Sequence, residues 1–405
     1  MKRSYDSAEL NTNNSNEGDS AALPKLYPRD VITPAALTDS NKYLKLMTWN
    51  VNGFKAHVLN MIDTIRSIIK KHHPDVICLQ ETKLQESHVT SDCCNIFDEY
   101  YSHWNCSTVK KGYSGTVMFV KKQTVDVSSL KLFPAAANAF NTINKSKKQA
   151  TLASFWGKKE EKAVENSGSN SVVSALAMAY DFEDDNRCFD GEGRTITIEF
   201  DKFYVVGCYV PNSGETNLSR LDYRVDEWDP HMRDYLKQLS SRKPIIFTGD
   251  LNCAHLDIDM FNPKGKRTCT EAGLTPRERA SFSAMLERAD LVDAFRYFHP
   301  EAKGQFTYWH LRTFARNRNH GLRLDYFLCS RGLFPNPHKT LPDPHKANDT
   351  ASVAPTDNEV KSNDNSAPSN NNSEDGAPSI ADCFILHEET VGCSDHCPVI
   401  LVVKI

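Results

Sequence analysis

Ile245-Ile246-Phe247-Thr248-Gly249-Asp250-Leu251-Asn252 passes from four strand-forming side chains directly into a glycine and an acid-amide pair. A β-branched, apolar run of this length reads as a buried strand. Asp250 and Asn252 therefore hang at a strand end, where sheet proteins assemble their sites. Residues two apart in extended backbone point to one face, so the pair lies side by side. Working outward, four more segments repeat the pattern: Trp49-Asn50-Val51-Asn52-Gly53, Gln80-Glu81-Thr82-Lys83, Tyr209-Val210-Pro211-Asn212 and Ser394-Asp395-His396. Each follows or begins an apolar, β-branched run. Together they supply Asn, Glu, Asp, Tyr and His, the inventory for binding a hard divalent cation, holding a phosphate and activating water. A serine or cysteine nucleophile with its own base is missing from the set. The reading is a metal-dependent phosphodiesterase. Asp250 is the better general base, because Asn252 beside it can donate to a phosphate oxygen without adding repulsive charge. Glu81 is then free for the metal. For Gly-Asp-Leu-Asn taken alone, a strand-ending Asx-turn is an equal explanation.

The rest of the chain alternates between strand and helix patterns. Strands are expected at residues 44–49, 76–79, 115–120, 195–200, 204–210, 245–248, 323–329, 384–387 and 398–405. Val58, Met61, Ile62, Ile65, Ile68 and Ile69 share one helix face at 3.6 spacing, and Pro74 closes that helix. Residues 223–239 are also helical, and Thr275-Pro276-Arg277-Glu278 has the form of a capping box with proline at the first helical position. Residues 1–42, polar and rich in Asn and Ser, read as a disordered tail, leaving 43–405 as one catalytic domain. Insertions interrupt it at about 124–192 and 335–380, although residues 172–180 are apolar enough to pack on the core. Hairpin-paired strands with helices between them suggest a two-sheet α/β sandwich.

A chain of 405 residues, 40% hydrophobic and 25% charged, can bury one large core or two smaller ones. Its longest apolar stretches are too short to cross a bilayer, and no signal-peptide core follows Lys2-Arg3. An intracellular location is expected. The 12 cysteines form no paired CxxC framework, which suits reduced thiols. Cys393 and Cys397 flank Ser394-Asp395-His396, but a hard-cation site explains those residues better than zinc does. The net charge of −4 is concentrated: residues 335–380 hold seven acids against three lysines. Residues 303–323, by contrast, carry Lys303, Arg312, Arg316, Arg318 and Arg323 without an acid, interleaved with Phe306, Tyr308, Trp309 and Phe314. That composition fits a loop on phosphates and an extruded base or sugar. A solvated basic loop over a small aromatic core fits it equally.

The chain resembles the exonuclease III type of apurinic/apyrimidinic endonuclease, within the endonuclease/exonuclease/phosphatase superfamily. The resemblance rests on Cys78-Leu79-Gln80-Glu81-Thr82-Lys83, Gly112-Tyr113-Ser114-Gly115, Tyr209-Val210-Pro211-Asn212, Asn262-Pro263-Lys264-Gly265, Thr275-Pro276-Arg277-Glu278-Arg279, Leu324-Asp325-Tyr326-Phe327 and Gly392-Cys393-Ser394-Asp395-His396-Cys397-Pro398. It implies a DNase I-like, four-layered α/β sandwich, two packed mixed β-sheets flanked by helices. It also implies Mg²⁺-dependent incision (Mn²⁺ as an alternative) of double-stranded DNA on the 5′ side of abasic sites, with 3′-end trimming, by a monomer in the nucleus or mitochondrion. Glu81 becomes the principal metal ligand with Asn52 nearby, Asp395 a second metal position, and Asp250 the residue that orients or deprotonates water. Asn212, Asn252 and His396 would bind the scissile phosphate, His396 paired with Asp325, while Tyr209 supports a phosphate or leaving oxygen and Asn50 braces Asp250. An imidazole beside a buried carboxylate favours the cation, which attracts phosphate. Tyr308, Trp309 and Leu322 would line an abasic-sugar pocket, with Lys83 and Arg312 on DNA.

Departures are informative. Asn52 stands where animal members have an aspartate, leaving one carboxylate fewer at the metal. Leu322 occupies a typically aromatic position. Glu215 replaces a DNA-inserting arginine, and Arg312 stands where an apolar residue often sits. Two rival readings are a superfamily hydrolase for inositol phosphates, sphingolipid or RNA tails, and a catalytically idle DNA-binding protein. The Asn262 to Gly265 segment argues against the first, and the complete set of carboxylates and histidine against the second.

Overall fold

The computed structural model describes residues 26–37, 42–126, 131–132, 173–180, 183–184, 187–188, 191–214, 217–265, 268–339 and 377–405. Its strands are β1 (Tyr43–Asn50), β2 (Val76–Gln80), β3 (Tyr100–Asn105), β4 (Thr116–Lys121), β5 (Val125–Asp126), β6 (Lys131–Leu132), β7 (Val173–Tyr180), β8 (Glu183–Asp184), β9 (Arg187–Cys188), β10 (Thr195–Phe200), β11 (Tyr204–Tyr209), β12 (Ile245–Asp250), β13 (Leu291–Asp293), β14 (Asp325–Ser330), β15 (Ser379–Ile385) and β16 (Val399–Lys404). The principal helices are α1 (Ile62–His72), α2 (Asp229–Ser240), α3 (Pro276–Arg288) and the short α4 (Ala294–Phe298).

Side-chain alternation builds the layers. Leu44, Leu46, Val76, Cys78, Met118 and Val120 point to a core shared with Ile198, Val205, Ile246, Phe327 and Cys329 of the other sheet. Their strand neighbours Met47, Trp49, Ile77, Leu79, Val117 and Phe119 point outward, against Ile65 and Ile68 of α1. On the second sheet Tyr204, Val206, Ile245, Phe247, Tyr326 and Leu328 point outward against Trp228, Met232, Leu236, Phe282 and Met285. A period of two with both faces apolar requires a cover on each side. The result is helix, sheet, sheet, helix.

One sheet has the order β15-β16-β1-β2-β4-β3, the other β13-β14-β12-β11-β10-β7-β5, with β6 beside β7. Hairpin pairing alone would have made these sheets antiparallel. At the centre of each, however, two strands run parallel, β1 with β2 and β11 with β12. Their carboxyl ends therefore emerge together, in the place where open α/β sheets bind ligands.

Several boundaries differ from the sequence reading. β7, inside the expected insertion at 124–192, pairs along β10 and extends the second sheet; residues 133–172 and 340–376 lie outside the described residues. β3 and β13 lack the expected apolar alternation, β3 being Tyr-Tyr-Ser-His-Trp-Asn, and β15 starts five residues earlier than its expected strand. Residues 26–37, expected within a disordered tail, run along the domain: Asp30 N donates to Lys303 O (3.1 Å) and Ala35 N to Asp382 Oδ2 (2.7 Å). The stretch is more apolar than the residues before it: Ile32 packs against the inter-sheet core and Leu37 against the core under α1, while its backbone amides bond the body. Thr275 and Glu278 form the capping box with Pro276 in the first turn, as expected.

Candidate active site at the carboxyl ends of the central strands

Register aligns the site. Across β11, β12 and β14, Tyr209 lies beside Asp250 and Asp250 beside Asp325. β12 can close on β11 only through glycine: a Cβ on Gly249 (φ +139°) would stand 1.8 Å from the Cys208 carbonyl oxygen. On the facing sheet Asn50 pairs with Gln80, and Glu81 follows one residue later.

Asn50 joins the two sheets. Its amide Nδ2 donates to Glu81 Oε1 (2.9 Å) and to Asp250 Oδ2 (2.8 Å), while its Oδ1 accepts from Asn52 N (2.9 Å). Asp250 also accepts from Asn252 N (2.9 Å). Asn252 Nδ2 donates to Val210 O (2.9 Å) and its Oδ1 accepts from Asn212 Nδ2 (3.0 Å). Asn52, Glu81, Lys83 and Asn252 all hold positive φ, between 48° and 53°. Left-handed backbone is costly for a residue such as glutamate and clusters at functional sites.

His396 Nδ1 bonds Asp325 Oδ2 at 2.7 Å, and its Nε2 stands 3.9 Å from Asp250 Oδ2, beyond hydrogen-bond range. One ligand-type atom from each of Asp250, Asp325 and His396 lies within 4.8 Å of the others. Burial works against the imidazolium, but Asp325 and then Asp250 outweigh it and hold the His396 pKa up, at about 10. Burial raises Asp250 above the usual carboxylate range, opposed by His396 and reinforced by Asp325. Glu81 moves the other way, because Lys83 and the Asn50 amide overcome its burial. Burial, then Glu81, push the Tyr209 phenol well above its usual range, so it stays a neutral hydroxyl. Arg194 holds that residue in place, its guanidinium 4.8 Å from the ring centre and Nη1 donating to the Tyr209 carbonyl (3.0 Å).

A cation is already drawn to the expected metal position. Lys83 Nζ lies 2.8 Å from Glu81 Oε2 and bonds Asn52 Oδ1. The two oxygens thus converge on one positive charge, as hard-cation ligands do. Lys83, expected on DNA, is instead turned into this pair. Asp395 is held by Ser394 Oγ on its Oδ1 (3.2 Å), and its carbonyl accepts from Trp309 N (2.9 Å).

The expected sugar pocket divides into two kinds of residue. Tyr308 and Leu322 are partly buried, and the Tyr308 ring stands 4.9 Å from the His396 ring. Trp309 is a correction: it is 2% exposed, with Arg316 over its ring and Nε1 bonded to Asn319 Oδ1 (3.1 Å). It backs the pocket as core. The basic loop is corrected likewise, since Arg323 is spent on Asp259 and Asp293 and Arg316 on the carbonyls of His387, Thr390 and Ser394. Arg312 sits in the turn Leu311–Thr313, with its side chain outside the description, as is Glu215. Phe314, singled out in the aromatic run, is exposed, whereas exposed Leu311 and Phe261, the latter stacked on His320 at 4.7 Å, were missed by sequence reasoning. Arg224 and Glu278 were missed too. Arg224 binds the carbonyls of Leu251 (2.7 Å) and Asn252 (2.6 Å), and Glu278 holds Arg224, Ser213 and Gly273 N. Only the capping box hinted at Glu278. The eleven cysteines with described side chains are free thiols, and Cys397 Sγ donates to the Phe306 carbonyl, so a zinc role for Cys393 and Cys397 has no support among the described residues.

The Endonuclease/Exonuclease/phosphatase family matches residues 47–396. The chain is 35% identical over 290 residues to the DNA-(apurinic or apyrimidinic site) endonuclease of Dictyostelium discoideum, covering 72% of this chain and 63% of that one. It thus spans less than two thirds of that relative. To the exodeoxyribonuclease of Bacillus subtilis (strain 168) it is again 35% identical over 290 residues, 72% of this chain and 89% of that one. The fold matches the crystal structure of AP endonuclease LMAP from Leishmania major with a TM-score of 0.62 and 25% identity, covering 93% of each chain. With the match running across both sheets and all five polar segments, this chain belongs to the Endonuclease/Exonuclease/phosphatase family.

Proposed function

We propose that this chain is a Mg²⁺-dependent DNA repair nuclease that hydrolyses the phosphodiester on the 5′ side of abasic sites in duplex DNA, acting as a monomer. The observation that carries the reading is the buried Asp250 carboxyl and His396 imidazole facing each other across 3.9 Å. A water between them and a phosphate would lose its proton to Asp250 Oδ2, which Asn50 orients. The His396 imidazolium, held by Asp325, donates Nε2–H to a phosphate oxygen and stabilises the charge that develops there. Asn212 and Asn252 present amides on the same side, and the neutral Tyr209 hydroxyl can donate to the leaving oxygen.

Glu81 and Asn52 fit a hard cation, with Asp395 as a further oxygen ligand; Mn²⁺ is the alternative to Mg²⁺. When bound there, such an ion supplies neutralising charge to the phosphate. Lys83 must yield its place beside those oxygens. Tyr308 and Leu322 form a pocket wall suited to an extruded sugar, and Arg312 and the exposed Phe314 tip suit contact with the flanking duplex. The Bacillus relative's name, exodeoxyribonuclease, extends the reading to 3′-end trimming.

The test is single-site incision of duplex DNA bearing a tetrahydrofuran abasic analogue, with Mg²⁺. Asp250→Asn should lower turnover by about 10² to 10⁴-fold while leaving DNA affinity nearly unchanged. An Asp250→Asn variant above a tenth of wild-type turnover removes Asp250 from the chemistry, and wild-type protein inert on this substrate ends the reading.

A further inference from the structure

The segment at residues 26–30 grips the loop that carries Tyr308 and Trp309, and it does so at both ends of that loop. At the near end Lys303 N donates to Asp30 Oδ2 (2.7 Å), Asp30 N returns a bond to Lys303 O (3.1 Å), and Gln305 Nε2 donates to Asp30 O (2.7 Å). At the far end Tyr27 N donates to Arg318 O (2.9 Å). The Tyr27 ring packs 5.4 Å from Phe306, inside the small cluster that also holds Trp309, Ala315 and Cys397. Approach is close enough to demand glycine: a Cβ on Gly304 (φ +70°) would lie 2.2 Å from the Pro28 carbonyl oxygen. Further along, Ala35 N on Asp382 Oδ2 and Ile32 against the inter-sheet core fix the segment to the body.

The grip reaches the site through a short relay. Asn319 donates Nδ2 to Gly304 O (3.1 Å) and to Tyr27 O (3.4 Å), and its Oδ1 accepts from Trp309 Nε1 (3.1 Å). Trp309 N in turn donates to Asp395 O (2.9 Å), one residue from His396. Thr307, between Phe306 and Tyr308, accepts Cys397 N on its carbonyl and Asp325 N on its hydroxyl (3.1 Å). Two of the catalytic segments therefore rest on the loop that residues 27 and 30 hold.

We infer that residues 26–30 are a built-in clamp, with Tyr27 and Asp30 acting as positioning residues that keep the loop at 303–323 in its substrate-binding arrangement. The inference rests on the nuclease reading for its consequence and on geometry for its existence. A loop that samples other arrangements binds more weakly in proportion to the competent fraction, while the bound, reacting complex is the same. KM should therefore move and kcat should not.

The experiment uses the full chain with Tyr27→Ala, Asp30→Ala, Asp30→Asn and a deletion of residues 1–25, which spares the clamp. Incision kinetics on the tetrahydrofuran duplex are measured beside amide hydrogen exchange over residues 303–323. Expected are a rise in KM of about tenfold for Tyr27→Ala and Asp30→Ala, kcat within about twofold, and faster exchange at Trp309 and Lys303. Asp30→Asn keeps an oxygen for Lys303 N and should restore most of the KM, whereas the 1–25 deletion should match wild type. Unchanged KM with unchanged exchange overturns the clamp, as does a loss confined to kcat, or an Asp30→Asn no better than Asp30→Ala. Should the wild type fail to incise at all, the nuclease reading falls, while exchange in the loop still decides whether Tyr27 and Asp30 hold it.

Discussion

Asn50 donates from one amide nitrogen to two carboxylates that would otherwise repel, Glu81 on one sheet and Asp250 on the other. A carboxylate at that position would add a third negative charge, and a leucine would leave both acceptors bare. The amide separates the roles by environment: Glu81, largely buried but beside Lys83, stays anionic, and Asp250, fully buried, is more basic. Asn52 is the residue at which this site can be made more anionic. Each anionic ligand strengthens attraction to a divalent ion, and Asn52 shares Lys83 with Glu81. Asn52→Asp should therefore lower the Mg²⁺ concentration for half-maximal incision, and Glu81→Ala should raise it and lower the maximum rate. Titrating Mg²⁺ at constant ionic strength keeps counterion effects on DNA fixed. A flat response in Asn52→Asp takes Asn52 away from the metal, and a flat response in Glu81→Ala as well moves the metal elsewhere.

Among the elements, β14 is the one whose position depends most on charge. Arg323, just before it, is 1% exposed and lies between Asp259 and Asp293, while Arg296 of α4 also binds Asp259. This pairing sets the strand start, and with it Asp325 beside His396. Burial would raise the Asp259 pKa, but Arg323 and Arg296 reverse that and hold it far below the usual carboxylate range. A folded pKa below the unfolded value of about 3.9 contributes stability that is complete above that pH and fades as pH falls through the folded value. Asp259→Asn should cost about 3 to 5 kcal/mol near neutral pH by leaving buried guanidinium charge uncompensated. The gap between variant and wild type, followed by urea denaturation, should narrow below about pH 4. A pH-independent gap would mean that Asp259 acts through shape alone. This network also shows where the sequence was opaque. Arg323 belonged to a basic run that read as nucleic-acid contact, and nothing local showed that acids 64 and 30 residues away would consume it. Strands with β-branched alternation were legible, as were the polar strand ends, because period and chemistry are local. β3 was not, its outward face being Tyr100, Ser102 and Trp104 rather than aliphatic. Trp309 looked like a substrate platform because aromatic side chains serve core and recognition alike.

At the scale of the whole molecule, charge is divided between a nearly balanced body and one acidic stretch. Residues 340–376 carry seven acids and two lysines, a net −5, so the remaining chain is +1 when the total is −4. The stretch joins two described ends, Lys339, whose ammonium holds the Tyr297 carbonyl, and β15. Its apolar side chains larger than alanine are Leu341, Val353 and Val360, too few to bury a core of their own. Replacing it with a short Gly-Ser linker costs little in closure entropy, since that term grows only logarithmically with length. Thermal stability should stay close to wild type. DNA affinity should rise at low salt, because five net negative charges no longer oppose the phosphate backbone, and the gain should shrink as salt screens the field. Filter binding of the same abasic duplex at about 50 and 200 mM salt would measure this. A weaker affinity at low salt in a folded deletion variant would mean that the stretch contributes to DNA contact, and a large fall in melting temperature would mean that it contributes to the fold.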